Sequence, residues 1–172
     1  DQDMRATAYS WCKAPRLAGV PMETGALARQ VVDGHPLALD LAGQGGVLAR
    51  VAARLLELAR TQILMEHLAD TITPEAQFMS HGKAALNGEG EGLVEAARGA
   101  LGHWIRIEGG RIANYQIIAP TTWNFSPRDT AGVPGPLEAA LAGAVVEPDA
   151  ETPLAVQHIV RSFDPCMVCT VH

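Results

Sequence analysis

The most regular hydrophobic pattern of the chain begins at Gly45-Gly46. Apolar residues recur there at steps of three, four and seven, which is the spacing of one helix face. They are Leu48, Val51, Leu55, Leu58 and Met65. The spacing predicts a helix of about twenty residues. Most other positions in this segment are charged, but several alanines would let a second helix approach closely, so a helix-bundle core is expected.

The segments on either side of this helix lack such a pattern. Proline and glycine interrupt the first forty residues before any run reaches three turns, so an irregular arm is expected there. After the helix, the glycine-rich stretch from Gly82 to Gly92 is expected to be a turn or flexible loop. This loop would separate the helical part of the chain from a sheet.

Two short β-like runs follow, His103 to Ile107 and Arg111 to Ile118. They are joined by Glu108-Gly109-Gly110, and the two glycines supply the positive φ that a tight hairpin requires. The pattern therefore predicts a β-hairpin. Pro120 closes its second strand, and residues 121–136 are expected to form a turn-rich crossing.

Two further short helices are predicted, from Pro136 to Gly143 and from Leu154 to Phe163, because each carries apolar residues on one face. The predicted fold class is α+β, mainly α. It has a helix-bundle core, a small β-hairpin or sheet and long irregular segments. At 172 residues the chain has the length of one domain, residues 1–172, and can bury roughly two-thirds of its unfolded surface.

Charge and composition exclude several classes of partner. Lys and Arg number 13 against 19 Asp and Glu, which gives a net charge of −6, so nucleic acid is not an expected partner. No run of about 18 uncharged apolar residues exists, so no membrane span is expected. The acidic start, Asp1-Gln2-Asp3, lacks a targeting signal. A mature, trimmed or split product is expected, and its location stays open between the cytoplasm and the periphery of a membrane.

The last nine residues carry the densest chemistry of the chain, in the run Asp164-Pro165-Cys166-x-x-Cys169-x-x-His172. Asp followed by Pro is typical of a helix N-terminus, with Asp164 as the N-cap. The start of a helix lowers the pKa of nearby thiols and favours the thiolate that binds metal. The spacing of the two cysteines would place both sulfurs on one helix face, so both could contact one ion.

Three interpretations of this run stay open on the residues alone. A structural zinc site needs four ligands, and no second close pair of Cys or His residues exists. A thioredoxin-like redox pair needs a strand before the motif and a long helix after it. Two buried cysteines in a short terminal helix are the simplest interpretation, although the Asp-Pro start and the His at the third position after Cys169 make it less favoured.

This ending resembles the C-terminal signature of nickel-iron hydrogenase large subunits. Other blocks resemble further stretches of the same family and follow in the same order, so that the resemblance covers nearly the whole chain. They are Tyr9-Ser10-Trp11-x-Lys13-Ala14-Pro15-Arg16, Arg98-Gly99-x-Leu101-Gly102-His103-Trp104, Asn114-Tyr115-Gln116 with Pro120 to Asp129, and Ile159 to Phe163. The resemblance is to the C-terminal part of a large subunit. The family's N-terminal C-x-x-C pair has no counterpart in this sequence.

The resemblance implies a Ni-Fe centre held by four cysteine thiolates, whose iron carries CO and cyanide ligands. Cys166 would be terminal on nickel and Cys169 would bridge to iron. Arg98 would place its charge beside a cyanide and the open nickel position, and Asp164 would pair with it. On the residues alone, Arg98 is a structural ion-pair residue and Asp164 a helix cap. One departure from the family is Ala97, where the family usually has proline.

Two other roles follow from the resemblance. Thr121 would contact a cyanide through its hydroxyl or backbone N–H, whereas on the residues alone it is a turn threonine. His172 would bind magnesium or a similar divalent ion at the buried end of the large subunit. An ordinary C-terminal residue is mobile, so an ordered His172 would need such an anchor.

The function implied is the reversible oxidation of H2 to protons and electrons by a nickel-iron hydrogenase, an oxidoreductase. The chain would act only with the N-terminal part of the large subunit and with an iron-sulfur small subunit that accepts the electrons. The alternative is a chain without catalytic turnover, either an isolated fragment or a hydrogen-sensing, regulatory hydrogenase subunit that acts in signalling.

Overall fold

The computed structural model describes residues 9–82, 85–146, 151 and 153–166. Within these ranges, six α-helices accompany one three-stranded antiparallel sheet, which confirms the α+β, mainly α class. The elements in chain order are α1 Ala26–Val32, α2 Pro36–Gln44, α3 Gly46–Thr71, β1 Gly88–Ala96, β2 Gly99–Glu108, β3 Arg111–Ile118, α4 Pro120–Asn124, α5 Pro136–Leu141 and α6 Leu154–Ser162.

The long helix α3 organises the helical part of the fold. It has 26 residues, which confirms the predicted helix and extends it, and α1, α2 and α6 all pack against it. The contacts run through alanines, because Ala49 and Ala53 are 1% and 0% exposed. Leu48 and Leu55 are 69% and 64% exposed, so the leucine face of α3 does not pack within the described part of the chain. The expected close helix approach is confirmed, and it uses the alanines.

The irregular arm expected over the first forty residues is wrong for α1 and α2. These helices have seven and nine residues, so both are shorter than three turns, and only this predicted limit on helix length holds. Pro36 does not interrupt a helix but begins one, because proline at the first helical position lacks only an N–H that would have no helical partner. Gly45, with φ of 66°, then separates α2 from α3.

The sheet has the order β1-β2-β3, and its second hairpin confirms the prediction. Gly109 and Gly110 turn the chain with φ of 58° and 73°. The loop expected from Gly82 to Gly92 is wrong from Gly88 onward, because β1 begins there and pairs with β2. Glycine weakens a strand but does not forbid one, so pairing with a neighbouring strand outweighs its local preference here.

The three remaining helices bring the C-terminal half back to the arm. The predicted α5 and α6 are confirmed, whereas the turn-rich crossing expected after Pro120 is wrong where α4 forms. Asn124 at the end of α4 is buried, and its side-chain amide bonds both ways to the backbone of Thr24. It accepts from the N–H at 2.9 Å and donates to the carbonyl at 3.0 Å. This pair ties α4 to the segment that leads into α1.

Within the described ranges, none of the helices combines the length and the apolar content that crossing a bilayer would require.

Replacing Ala53 by Leu should lower the stability of the fold. The added side chain has no space at a fully buried helix contact, and overpacking of this kind costs about 1 to 3 kcal/mol. Ala59→Leu is the matched control, because Ala59 lies on the same helix and is exposed. The thermal unfolding midpoint should fall by several degrees in the first variant and stay near the unmodified value in the second. Equal midpoints would contradict packing through the alanine face.

Candidate functional site

The structure brings Arg98 and Asp164 together. Arg98 lies in the turn between β1 and β2, and Asp164 follows the end of α6. Arg98 Nε lies 3.4 Å from Asp164 Oδ2, and both side chains are nearly half exposed. The contact expected between these two residues is therefore present, while their catalytic roles stay predictions.

Asp164 does not have the backbone conformation of an N-cap. Its φ is 50°, in the left-handed region, whereas N-cap residues are extended. Its N–H donates to the carbonyl of Arg161 at 3.0 Å, which is how helices commonly end. Asp164 thus terminates α6, and the expected cap is corrected. Cys169 and His172 lie outside the described residues.

A second contact links Thr121 to Cys166. The backbone N–H of Cys166 donates to Thr121 Oγ1 at 3.0 Å. Thr121 is 5% exposed in the first turn of α4, and Cys166 is partly buried. The hydrogen bond fixes the backbone beside the cysteine, so α4 helps to position the thiol.

The turn that carries Arg98 is packed tightly on one side. Gly99 has φ of 134°, and a Cβ built there would lie 2.3 Å from Thr24 Oγ1. Gly25 is also close, since a Cβ there would lie 3.4 Å from the carbonyl oxygen of Arg98. Glycine is therefore required at position 99 by both conformation and space. The turn rests against the same Thr24 that Asn124 holds.

Arg29 on α1 holds the residues of this turn that precede Arg98. Its guanidinium donates to the carbonyl oxygens of Ala96 at 2.8 Å and Ala97 at 3.0 Å. It also bonds both oxygens of Glu57, at 2.7 and 2.5 Å, and Glu95 at 2.8 Å. Sequence reasoning missed Arg29, because a single arginine on a short helix carries no pattern that reveals such distant partners.

Two arginines of α3 hold the end of α6, just before Asp164. Arg50 pairs with both oxygens of Glu23 at 2.7 and 2.8 Å and stacks over the ring of Phe163, 3.8 Å from its centre. Arg54 donates to the carbonyl of Ser162 at 2.7 Å. Their helical spacing indicates only a charged face, so their role in positioning α6 was also missed.

The Arg29–Glu57 pair shifts the ionisation of both partners. The hydrogen bond from Arg29 lowers the pKa of Glu57 below its ordinary value of 4.5, although partial burial opposes the shift. The hydrogen bond to Glu57 in turn raises the pKa of Arg29. Both groups are therefore charged at neutral pH, and the pair is a fixed feature of the site's surroundings.

The donors in the described residues fit part of a soft-metal site. Cys166 supplies a thiol, and thiolates suit nickel and low-spin iron. Within the ranges that the structure describes, no group of three or more His, Cys, Asp and Glu residues is arranged to hold a metal. A small cavity of about 20 Å³ lies beside Arg98 and Asp164. Thr24 also lines this cavity, and its buried hydroxyl has no hydrogen-bond partner among the described residues. Cys166 fits as one ligand, and the others would lie outside the described residues.

Thr121→Val should free the backbone beside Cys166. Valine has nearly the same shape but cannot accept the N–H, and the loss of about 1 kcal/mol corresponds to roughly fivefold faster exchange. Amide hydrogen exchange of a peptide that contains Cys166 measures this change. Thr121→Ser keeps the hydroxyl and should exchange like the unmodified protein. Equal exchange in the two variants would count against the contact.

The Glu57 carboxylate should make stability depend on pH. The pKa of Glu57 is lower in the folded protein than its ordinary value. The contribution of the carboxylate to the free energy of unfolding is therefore fully present above pH 4.5 and is lost as the pH falls through the lower pKa of the folded protein. Glu57→Gln removes the charge and nearly keeps the shape. The difference in unfolding midpoint between unmodified protein and variant should be largest at neutral pH and shrink below pH 4.5. A constant difference would show that the charge of Glu57 is unimportant.

The sequence matches a protein family described as nickel-dependent hydrogenase over residues 1–172. It is 36% identical over 189 residues to the uptake hydrogenase large subunit of Rhodobacter capsulatus, covering 95% of this chain and 32% of that protein. It is also 36% identical over 186 residues to the quinone-reactive Ni/Fe-hydrogenase large chain of Wolinella succinogenes, with the same coverage of each. The chain thus spans about a third of the length of these relatives.

Solved structures share the fold. The Ni-Fe-Se hydrogenase from D. vulgaris Hildenborough in its as-isolated oxidized state superposes with a TM-score of 0.85 at 33% identity, over 97% of this chain and 39% of that one. The reduced, active Ni-Fe-Se hydrogenase from Desulfomicrobium baculatum gives 0.83 at 37% identity, over 96% and 38%. The fold and the sequence match agree, and the chain belongs to the nickel-dependent hydrogenase family.

Proposed function

We propose that this chain is the C-terminal part of the catalytic large subunit of a nickel-iron hydrogenase, which oxidises H2 reversibly to protons and electrons. It would supply two of the four cysteine ligands of the Ni-Fe site, Cys166 and Cys169. The observation that carries the proposal is the pairing of Arg98 with Asp164, two residues before Cys166 in the chain. An exposed pair of this kind adds little stability, so a role in orienting the charge accounts for it better.

Cys166 and Cys169 are the residues proposed to hold the metals. Thiolates are soft ligands, and serine cannot replace them because its hydroxyl stays protonated near neutral pH. The hydrogen bond from the Cys166 N–H to Thr121 fixes the backbone from which the sulfur projects. When bound, the Ni-Fe group supplies H2 binding and the exchange of electrons.

Arg98 is proposed as a preorganised positive charge. A fixed guanidinium stabilises charge separation in a transition state because it needs no reorientation during the reaction. Asp164 holds Arg98 by the 3.4 Å contact and so restricts its long side chain. The pair would thereby polarise H2 and limit where the guanidinium can point.

Thr121 has the bonding capacity for its proposed cyanide contact. A hydroxyl has one donor hydrogen besides its acceptor lone pairs. Its oxygen already accepts the Cys166 N–H, so its own hydrogen can point to a second partner. A metal-bound cyanide nitrogen is an acceptor of that kind. His172 is proposed to bind magnesium or a similar ion through a neutral imidazole nitrogen.

The proposed partners are the N-terminal part of the large subunit, with the other two thiolates, and an iron-sulfur small subunit. The similar proteins are named large subunit or large chain, which supports a partner of the second kind. The exposed leucines of α3 support the N-terminal part of the large subunit as a partner, because an exposed apolar helix face is normally covered by another surface.

Metal analysis with infrared spectroscopy of the assembled enzyme tests the proposal. Bound CO and cyanide should absorb where protein does not, and nickel and iron should both be present. Zinc alone, without those bands, would overturn the proposal.

Three variants separate the roles of the residues. Cys169→Ser should abolish nickel binding, whereas Cys12→Ser, at an exposed cysteine, should leave the metals in place.

Arg98→Lys should keep the metals and slow hydrogen-dependent dye reduction about a hundredfold, because lysine is a mobile point charge. Full activity of Arg98→Lys would return Arg98 to a structural role.

A further inference from the structure

All five N–H groups of Arg29 are used, and two of them bond the turn that carries Arg98. The N–H of Nε and one N–H of Nη2 donate to the two oxygens of Glu57, and one N–H of Nη1 donates to Glu95. The remaining two bond the Ala96 and Ala97 carbonyls. Arg29 is largely buried, with its side chain 19% exposed. It therefore joins α1 to α3 and also fixes the two peptides that precede Arg98.

We propose that Arg29 is a positioning residue for Arg98. By bonding the Ala96 and Ala97 carbonyls it would fix the turn from which Arg98 reaches Asp164, and so set where the Arg98 guanidinium points. Its effect on catalysis rests on the proposed function. Its effect on the turn does not.

The turn needs an external constraint for two reasons. The contact between Arg98 and Asp164 is one 3.4 Å approach of half-exposed side chains, which is too weak to fix a loop by itself. Ala97 also leaves its own φ free to vary, because alanine does not restrict the backbone as proline does. Thr24 packs against Gly99, which follows Arg98, and the bonds from Arg29 hold the two residues that precede Arg98.

Only an arginine can make this set of bonds. Glu57 accepts two parallel N–H groups and thereby fixes the plane of the guanidinium. With the plane fixed, two of the three remaining N–H groups point at the two carbonyls and the third at Glu95. Lysine carries three hydrogens on one atom and has no such fork, so it cannot bond Glu57 twice and still span both carbonyls.

The test uses Arg29→Lys and Arg29→Met in the assembled enzyme. Hydrogen exchange in a peptide covering residues 97–99 should be about tenfold faster in Arg29→Lys, and faster still in Arg29→Met. The kcat for H2 oxidation should fall about ten- to a hundredfold, because small misplacements of a reacting group are costly. The KM for H2 should change little, since Arg98 would act mainly in the transition state.

Arg60→Met is the matched control. Arg60 belongs to the same polar network but bonds Gln30 and Asp33. This variant loses an ion pair of the same network but no bond to the turn, so exchange at residues 97–99 and kcat should both stay at the unmodified values.

A rescue variant separates positioning from a general loss of structure. Ala18 and Asp164 are the non-glycine residues with positive φ in the described part of the chain, so Ala97 lies outside the left-handed region that proline cannot enter. Adding Ala97→Pro to Arg29→Lys should slow the exchange again and restore part of kcat. It restores no bond to Glu57, so a residue that merely joins α1 to α3 would not be rescued.

The outcomes distinguish the two proposals. Unchanged exchange at residues 97–99 in both Arg29 variants, or no rescue by Ala97→Pro, would overturn the role of Arg29. An unmodified enzyme without H2 oxidation and without CO and cyanide bands would overturn the proposed function instead, and the exchange experiment would still test Arg29.

Discussion

Arginine side chains that cross from one element to another hold the described structure together, where many domains rely on a large apolar core. The buried apolar residues are mostly alanines, and Ala49 and Ala53 let neighbouring helices lie close to α3. At that separation, long guanidinium side chains on the same helix reach the backbone of distant segments. Arg54 bonds the end of α6, and Arg29 on α1 bonds both α3 and the turn after β1. Most of these guanidinium groups donate to backbone carbonyls or form two parallel hydrogen bonds with a carboxylate. Both kinds of contact fix the orientation of the guanidinium.

The position of the candidate site follows from these cross-links. Arg98 and Asp164 are on separate loops, and neither is buried enough to be fixed by packing. Each loop is held a few residues earlier in the chain. Arg54 bonds Ser162, just before Asp164, and Arg29 bonds Ala97, just before Arg98. Because the clamping residues lie on α1 and α3, which pack together, the relative position of the two loops is set by one helix contact.

Local patterns predicted the elements that local chemistry determines. The repeat along α3 and the turn at Gly109-Gly110 depend on neighbouring residues, and both are present. The strand β1 and the exposure of Leu48 depend on pairing and burial against distant segments, so periodicity could not reveal them. The site residues came from the family resemblance. The contact between Arg98 and its acidic partner is observed, but no local pattern could have pointed to Arg29.

Backbone strain coincides with the candidate site at Asp164. Its φ of 50° costs a residue with a side chain about 1 kcal/mol, and a residue before proline normally prefers an extended conformation. Such a conformation persists only when its surroundings enforce it. The bond from Arg54 to Ser162 and the bond from the Asp164 N–H to Arg161 do so here. An extended residue at this point would carry the chain in another direction, so the strained backbone is what directs the carboxylate toward Arg98.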